Sequence, residues 1–180
     1  MSKIIFLLGG ARSGKSSYAI DLAKRISDKV LYFATGVPCD DETKAKIEIH
    51  KKVRPKSWIV VEEPLNLEIV LNRIDKSIEV VILDCFTFWV SNLLLHYQDK
   101  KVDSSYLETE ITTRVLQVIS IARNIRAQVI IVSNEVSMGI VPETSLGRVF
   151  RDILGRVNQM VTASADEVLL MVAGIPIKVK

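Results

Sequence analysis

Cysteine and histidine are both scarce, with two of each in 180 residues. Cys39 and Cys85 have neither the spacing of a disulfide framework nor that of a metal site, so a reducing compartment is expected. Cys85 stands inside an apolar run and reads as a packed core thiol; Cys39 stands in a polar loop with no activating pattern around it. Long apolar runs are missing too. None approaches the roughly 20 residues that cross a bilayer, and the run Ile4 to Leu8 is too short for a signal-peptide core. A cytoplasmic location is the expectation. The net charge of +3 is mild, and basic residues cluster only between Lys44 and Lys56, so nucleic acid is not the expected partner. Internal repeats, low-complexity tracts and a convincing domain boundary are also absent. One domain over residues 1–180 is expected, large enough to bury a core without disulfides.

What is there begins at residue 3. The apolar run Ile4 to Leu8 is followed by G-x-x-x-x-G-K-S over Gly9 to Ser16, then by Ala19, Leu22, Ala23 and Ile26 at the spacing of one helix face. Strand, glycine loop and helix together are the context a phosphate-binding loop requires. Glycines let the backbone curl so that successive N–H groups point inward, where they and the positive helix end hold phosphate oxygens. Lys15 then reaches the terminal phosphates and Ser16 can coordinate Mg²⁺. A nucleoside triphosphate ligand follows.

Downstream, apolar runs at Val30 to Thr35, Trp58 to Glu62, Glu79 to Asp84 and Val129 to Asn134 read as strands. Helical spacing marks Leu67 to Ile74, Phe86 to His96, Ile111 to Ile125 and Leu146 to Val161, with a polar linker around Gln98 to Ser105. Lys44 to Lys52 alternates like a strand but follows the acidic helix start Asp40, Asp41, Glu42, which favours helix. Glu167 to Val172 and Ile175 to Val179 resemble a terminal hairpin turning at Gly174 to Pro176. Alternating strands and helices predict an α/β fold: a mainly parallel sheet covered by helices on both faces, with that hairpin at its end.

Ligands of such sheets gather beyond the carboxyl ends of the strands, which nominates Ala34, Thr35 and Gly36, and also Asn134 and Glu135. Asp84 ends an apolar strand, where it either holds Mg²⁺ beside Ser16 or caps the helix starting at Phe86; the glycine loop favours the first. His50 lies in the basic cluster, with Lys44, Lys46, Lys51, Lys52, Arg54 and Lys56. A neutral imidazole can attack phosphorus, and surrounding cations favour the neutral form. On residues alone, a solvated surface histidine is the stronger reading. His96, at a helix end, suits the negative terminus. Arg148, Arg151 and Arg156 either clamp phosphates or line a solvated helix face, the commoner arrangement.

Several segments together resemble one family. They are Gly9 to Ser16, Tyr32 to Thr35, His50 to Pro55 with Trp58, Ser133 to Pro142, Phe150 to Gln159 and Ala165 to Val168. End to end, the chain is similar to the bifunctional adenosylcobinamide kinases and adenosylcobinamide-phosphate guanylyltransferases of cobalamin assembly. The resemblance implies a RecA-like P-loop NTPase fold, often trimeric, and two reactions. A nucleoside triphosphate (ATP or GTP) first phosphorylates the hydroxyl of the aminopropanol arm of the corrinoid adenosylcobinamide. A histidine then takes GMP from GTP and passes it to that phosphate. His50 matches the guanylylated histidine. Matching nucleotide-binding positions are Gly9, Gly10, Ala11, Arg12, Ser13, Gly14, Lys15 and Ser16; Ala34, Thr35 and Gly36; Lys51, Lys52, Val53 and Arg54; Glu62; and Asp84. At position 84 some members carry Glu; either carboxylate serves Mg²⁺, the shorter one leaving room for a water.

Two other readings compete. A P-loop small-molecule kinase without guanylyl transfer would use the arginines beyond residue 147 as a lid. A GTP-operated switch needs Asn-Lys-x-Asp, which the chain lacks, and its Asp152 to Gly155 falls inside a helical pattern.

Overall fold

Runs of β-branched and aliphatic residues build the strands, and the central runs are buried on both sheet faces. The computed structural model describes residues 2–38, 54–98 and 103–180. In chain order it contains β1 (Ile4–Gly9), α1 (Lys15–Ile26), β2 (Val30–Ala34), β3 (Ile59–Glu62), α2 (Leu67–Leu71) and β4 (Val80–Asp84). There follow α3 (Phe86–Gln98), α4 (Ser104–Asn124), β5 (Gln128–Asn134), α5 (Ser145–Ser164), β6 (Glu167–Val172) and β7 (Ile175–Lys178). Cys39, the ambiguous Lys44–Lys52 stretch, His50 and Val53 lie outside the described residues.

The strands form one sheet in the order β3-β2-β4-β5-β1-β6-β7, parallel except for the antiparallel β6–β7 pair. Alternate residues separate two cores. Ile4, Phe6, Phe33, Val81, Leu83, Val129 and Ile131 face the larger core with α3, α4 and α5. Ile5, Leu7, Tyr32, Val80, Ile82 and Val132 face α1, through Ala19, Ile20 and Ala23. The expected α/β architecture, with helices on both faces, is therefore present.

Differences from the expected boundaries have local causes. The polar linker ends earlier than its composition predicts, because Asp103 caps α4 by accepting from the Tyr106 N–H at 2.7 Å. Thr144 caps α5 in the same way, through the Gly147 N–H at 3.1 Å. The hairpin turns at Ala173 and Gly174, not at Gly174 to Pro176. Both central residues have positive φ (49° and 85°), as a type I′ turn requires, and Pro176 sits in the outermost strand, where no partner needs its N–H. Asp152 to Gly155 lies inside α5, far from any switch geometry.

Candidate nucleotide and transfer site

Register places the ends of five strands along one rim. Glu62, Ala34 and Asp84 stand level across β3, β2 and β4, and Asp84 is level with Val132 of β5. Gly9, paired with Asn134 and with Met171, carries β1 beyond that level into the glycine loop. The loop's shape depends on glycine at two points. A Cβ on Gly9 would lie 2.6 Å from the Met171 carbonyl oxygen, and Gly14 caps α1 with φ of 93°. The terminal hairpin props the loop from outside: the Gly174 N–H donates to the Ser13 carbonyl at 3.0 Å.

Lys15 is buried, and its ammonium donates to the Gly10 carbonyl at 2.6 Å and the Ser13 hydroxyl at 3.3 Å. Burial lowers its pKa from the ordinary lysine value, against the opposing pull of Cys85 and Asp84. Asp84 is thus an electrostatic neighbour of the loop lysine. Gly10, Ala11 and Arg12 are exposed along the loop, while Ser13 is buried.

Beside Asp84 a buried polar set fixes the rim. The Tyr32 hydroxyl donates to the Asp84 carboxylate, and the Arg54 guanidinium lies over the Tyr32 ring, 3.9 Å from its centre. Burial, then the Asp84 charge, drives the Tyr32 pKa far up, so the hydroxyl stays a donor. Thr35 is wholly buried; its hydroxyl accepts the Cys85 N–H at 2.8 Å and donates to the Cys85 carbonyl at 2.7 Å. Asn92 donates to the Thr35 carbonyl at 2.8 Å. Thr35 therefore stitches β2 to β4 with its side chain. On the β5 side the Thr87 hydroxyl accepts the Asn134 N–H, and Asn158 of α5 donates to the Asn134 carbonyl.

Two clefts open among the described residues. One, of about 380 Å³, is lined by Arg54, Pro55, Lys56, Trp58, Val60 and Glu62. The other, of about 300 Å³, lies where Ser137 meets Arg151, Arg156 and Gln159 of α5. Of the arginines on that helix, Arg148 donates to the carbonyls of Pro142 and Glu143, Arg151 pairs with Asp152 and Arg156 with Glu108.

A family model described as cobinamide kinase / cobinamide phosphate guanyltransferase matches residues 5–179. The chain belongs to that family. Relatives include the bifunctional adenosylcobalamin biosynthesis protein CobU of Escherichia coli (strain K12), 44% identical over 98% of this chain and 99% of that one. The protein of the same name from Salmonella typhimurium (strain LT2) is 41% identical, also over 98% of this chain and 99% of the other. Among solved structures the RadB recombinase superposes with a TM-score of 0.50 over 93% of this chain and 73% of its own, at 16% identity, a likeness of fold alone.

In this cobinamide kinase / guanyltransferase, the sequence-nominated residues divide by position. Gly9 to Ser16, Ala34 to Gly36, Glu62 and Asp84 come together at the carboxyl ends of the strands, and Arg54 joins them through Tyr32. His50, Lys51, Lys52 and Val53 lie outside the described residues. Sequence reasoning passed over Tyr32, Asn92, Asn158 and Gly174. Tyr32 carries a signal in hindsight, since a phenol in an otherwise apolar strand must find a partner for its hydroxyl. So does Asn158, an amide in the buried register of α5 between Leu154 and Val161.

Proposed function

We propose that the chain acts in cobalamin biosynthesis through two successive transfers at one nucleotide site. In the first, the hydroxyl of the aminopropanol arm of adenosylcobinamide attacks the γ-phosphorus of ATP or GTP. The nucleoside diphosphate leaves and the hydroxyl loses its proton. In the second, a ring nitrogen of His50 attacks the α-phosphorus of GTP and pyrophosphate leaves. An oxygen of the corrinoid phosphate then attacks the same phosphorus, the P–N bond breaks, and adenosylcobinamide-GDP is released with His50 restored.

The observation that carries this reading is the rim where Lys15, Asp84 and Arg54 converge, Arg54 standing four residues after His50. Gly9 to Ser16 would cradle the phosphates, Lys15 would steady charge at either end of the triphosphate, and Ala34, Thr35, Gly36, Lys51, Lys52, Val53, Arg54 and Glu62 would complete the nucleotide site. Mg²⁺ suits the donors present: the Ser16 hydroxyl and the Asp84 carboxylate are hard oxygens, and the described residues hold no cluster of three acidic, histidine or cysteine ligands. An ion bound by one or two protein oxygens plus phosphate and water is the expected mode. When bound it would neutralise phosphate charge. The chain would act as one catalytic domain, in the cytoplasm, as a homotrimer; no helix among the described residues is long and apolar enough to cross a membrane.

Incubation with α-labelled GTP tests the reading. The wild type should retain label in an acid-labile, base-stable adduct, and His50→Ala should lose the adduct while kinase turnover stays measurable. Retained label in His50→Ala would sink the histidyl intermediate; no adduct in the wild type would leave a simple kinase.

A further inference from the structure

Tyr32 touches two groups that otherwise belong to separate parts of the site. It is wholly buried in β2, on the sheet face covered by α1. Its hydroxyl is committed to the Asp84 carboxylate on β4, and its ring face carries the Arg54 guanidinium at 3.9 Å. A phenylalanine would fill nearly the same volume, so packing alone does not call for the hydroxyl. Arg54 in turn has Nε and Nη1 buried without a hydrogen-bond partner, and the Tyr32 ring face lies against the guanidinium there. A cation desolvated over an aromatic face is held firmly, and the stacked plane fixes the direction in which the remaining N–H groups point.

We propose that Tyr32 is a positioning residue with two separable roles. Its hydroxyl orients the Asp84 carboxylate for Mg²⁺ and so serves both transfers. Its ring seats Arg54, four residues after His50 in sequence, and so serves guanylyl transfer more than phosphoryl transfer. The proposal rests on the two-transfer reading above.

The two roles separate in two variants. Tyr32→Phe keeps the ring and loses the hydroxyl. Binding of a fluorescent GTP analogue, titrated with Mg²⁺, should then need about tenfold more Mg²⁺, the usual cost of losing an outer-shell partner of a metal ligand. Its adduct formation and kinase rate should move together. Tyr32→Leu should show the same Mg²⁺ shift and, in addition, adduct formation lowered about tenfold relative to the kinase rate, the worth of a desolvated cation–π contact. Adding Arg54→Lys to Tyr32→Leu should lower adduct formation little further, because both substitutions break one contact. If Tyr32→Leu melts below the assay temperature, Tyr32→Met, whose unbranched side chain adapts better to an irregular gap, takes its place. A wild-type Mg²⁺ titration in Tyr32→Phe overturns the hydroxyl role. Equal adduct-to-kinase ratios in the Phe and Leu variants, or full additivity with Arg54→Lys, overturn the ring role. Were the wild type to form no adduct, the two-transfer reading and the ring role would fall together, while the Mg²⁺ titration would still decide the hydroxyl role.

Discussion

Gly14 shows how closely the loop is built. Its φ of 93° is one that an L side chain resists, and a Cβ there would lie 3.0 Å from the Gly174 Cα, a backbone atom with no easy retreat. Gly14→Ala should therefore destabilise the fold by ~1–3 kcal/mol, and differential scanning calorimetry should find a melting temperature several degrees lower, with weaker GTP binding. Cys85 has a different environment. It is buried at 7% exposure, and its thiol is pushed up to about 12, by burial first and by the Asp84 charge second. In a Cys39→Ser background, a thiol reagent at pH 8 should leave the native protein unmodified and react after denaturation. A thiol kept neutral in the fold contributes fully below its ordinary value of 9.0, and that contribution fades as the pH rises from there toward 12. At this scale the loop residues were legible in the sequence because their roles depend on local spacing. Tyr32 and Asn158 were not, because their partners, Asp84 and Asn134, are brought near only by the sheet and by helix packing.

Elements are pinned by polar contacts that their hydrophobic pattern does not reveal. Asp166, just before β6, accepts the Ile4 N–H at 2.7 Å and the Arg123 guanidinium at 2.6 Å, so it ties the start of β1 to the end of α4. The Arg123 bond and then the Ile4 bond hold its carboxyl below the ordinary value of 3.8. A depressed carboxyl stabilises the fold above its unfolded value, and that stability is lost as the pH falls through the folded value. Its side chain is 41% exposed, so solvent screening keeps its worth to about 1 kcal/mol. Asp166→Asn should melt a few degrees below wild type at pH 7, and the gap should close as melts are taken down past pH 4. Apolar runs located every strand to within a residue or so, and helical spacing located the long helices. What composition could not place were ends set by a single cap, such as Asp103 at α4, and the hairpin turn, which shifted because Ala173 takes positive φ ahead of Gly174.

Across the whole molecule, the proposed site residues gather where five strands end, and the parallel order that brings those ends together was readable from the alternation of strands and helices. The cleft between Ser137 and α5 was not readable, since it joins the loop after β5 to the middle of that helix. The prop beneath the glycine loop has a consequence in time. β1 precedes the other described strands in the chain, yet in the sheet it lies between β5 and β6, and the loop that follows it leans on Met171 and Gly174. During vectorial synthesis the glycine loop is therefore made well before the segments that complete it. A nascent chain halted at residue 165 would carry the entire loop sequence and still lack a competent nucleotide site, which makes GTP capture a late marker of finished folding.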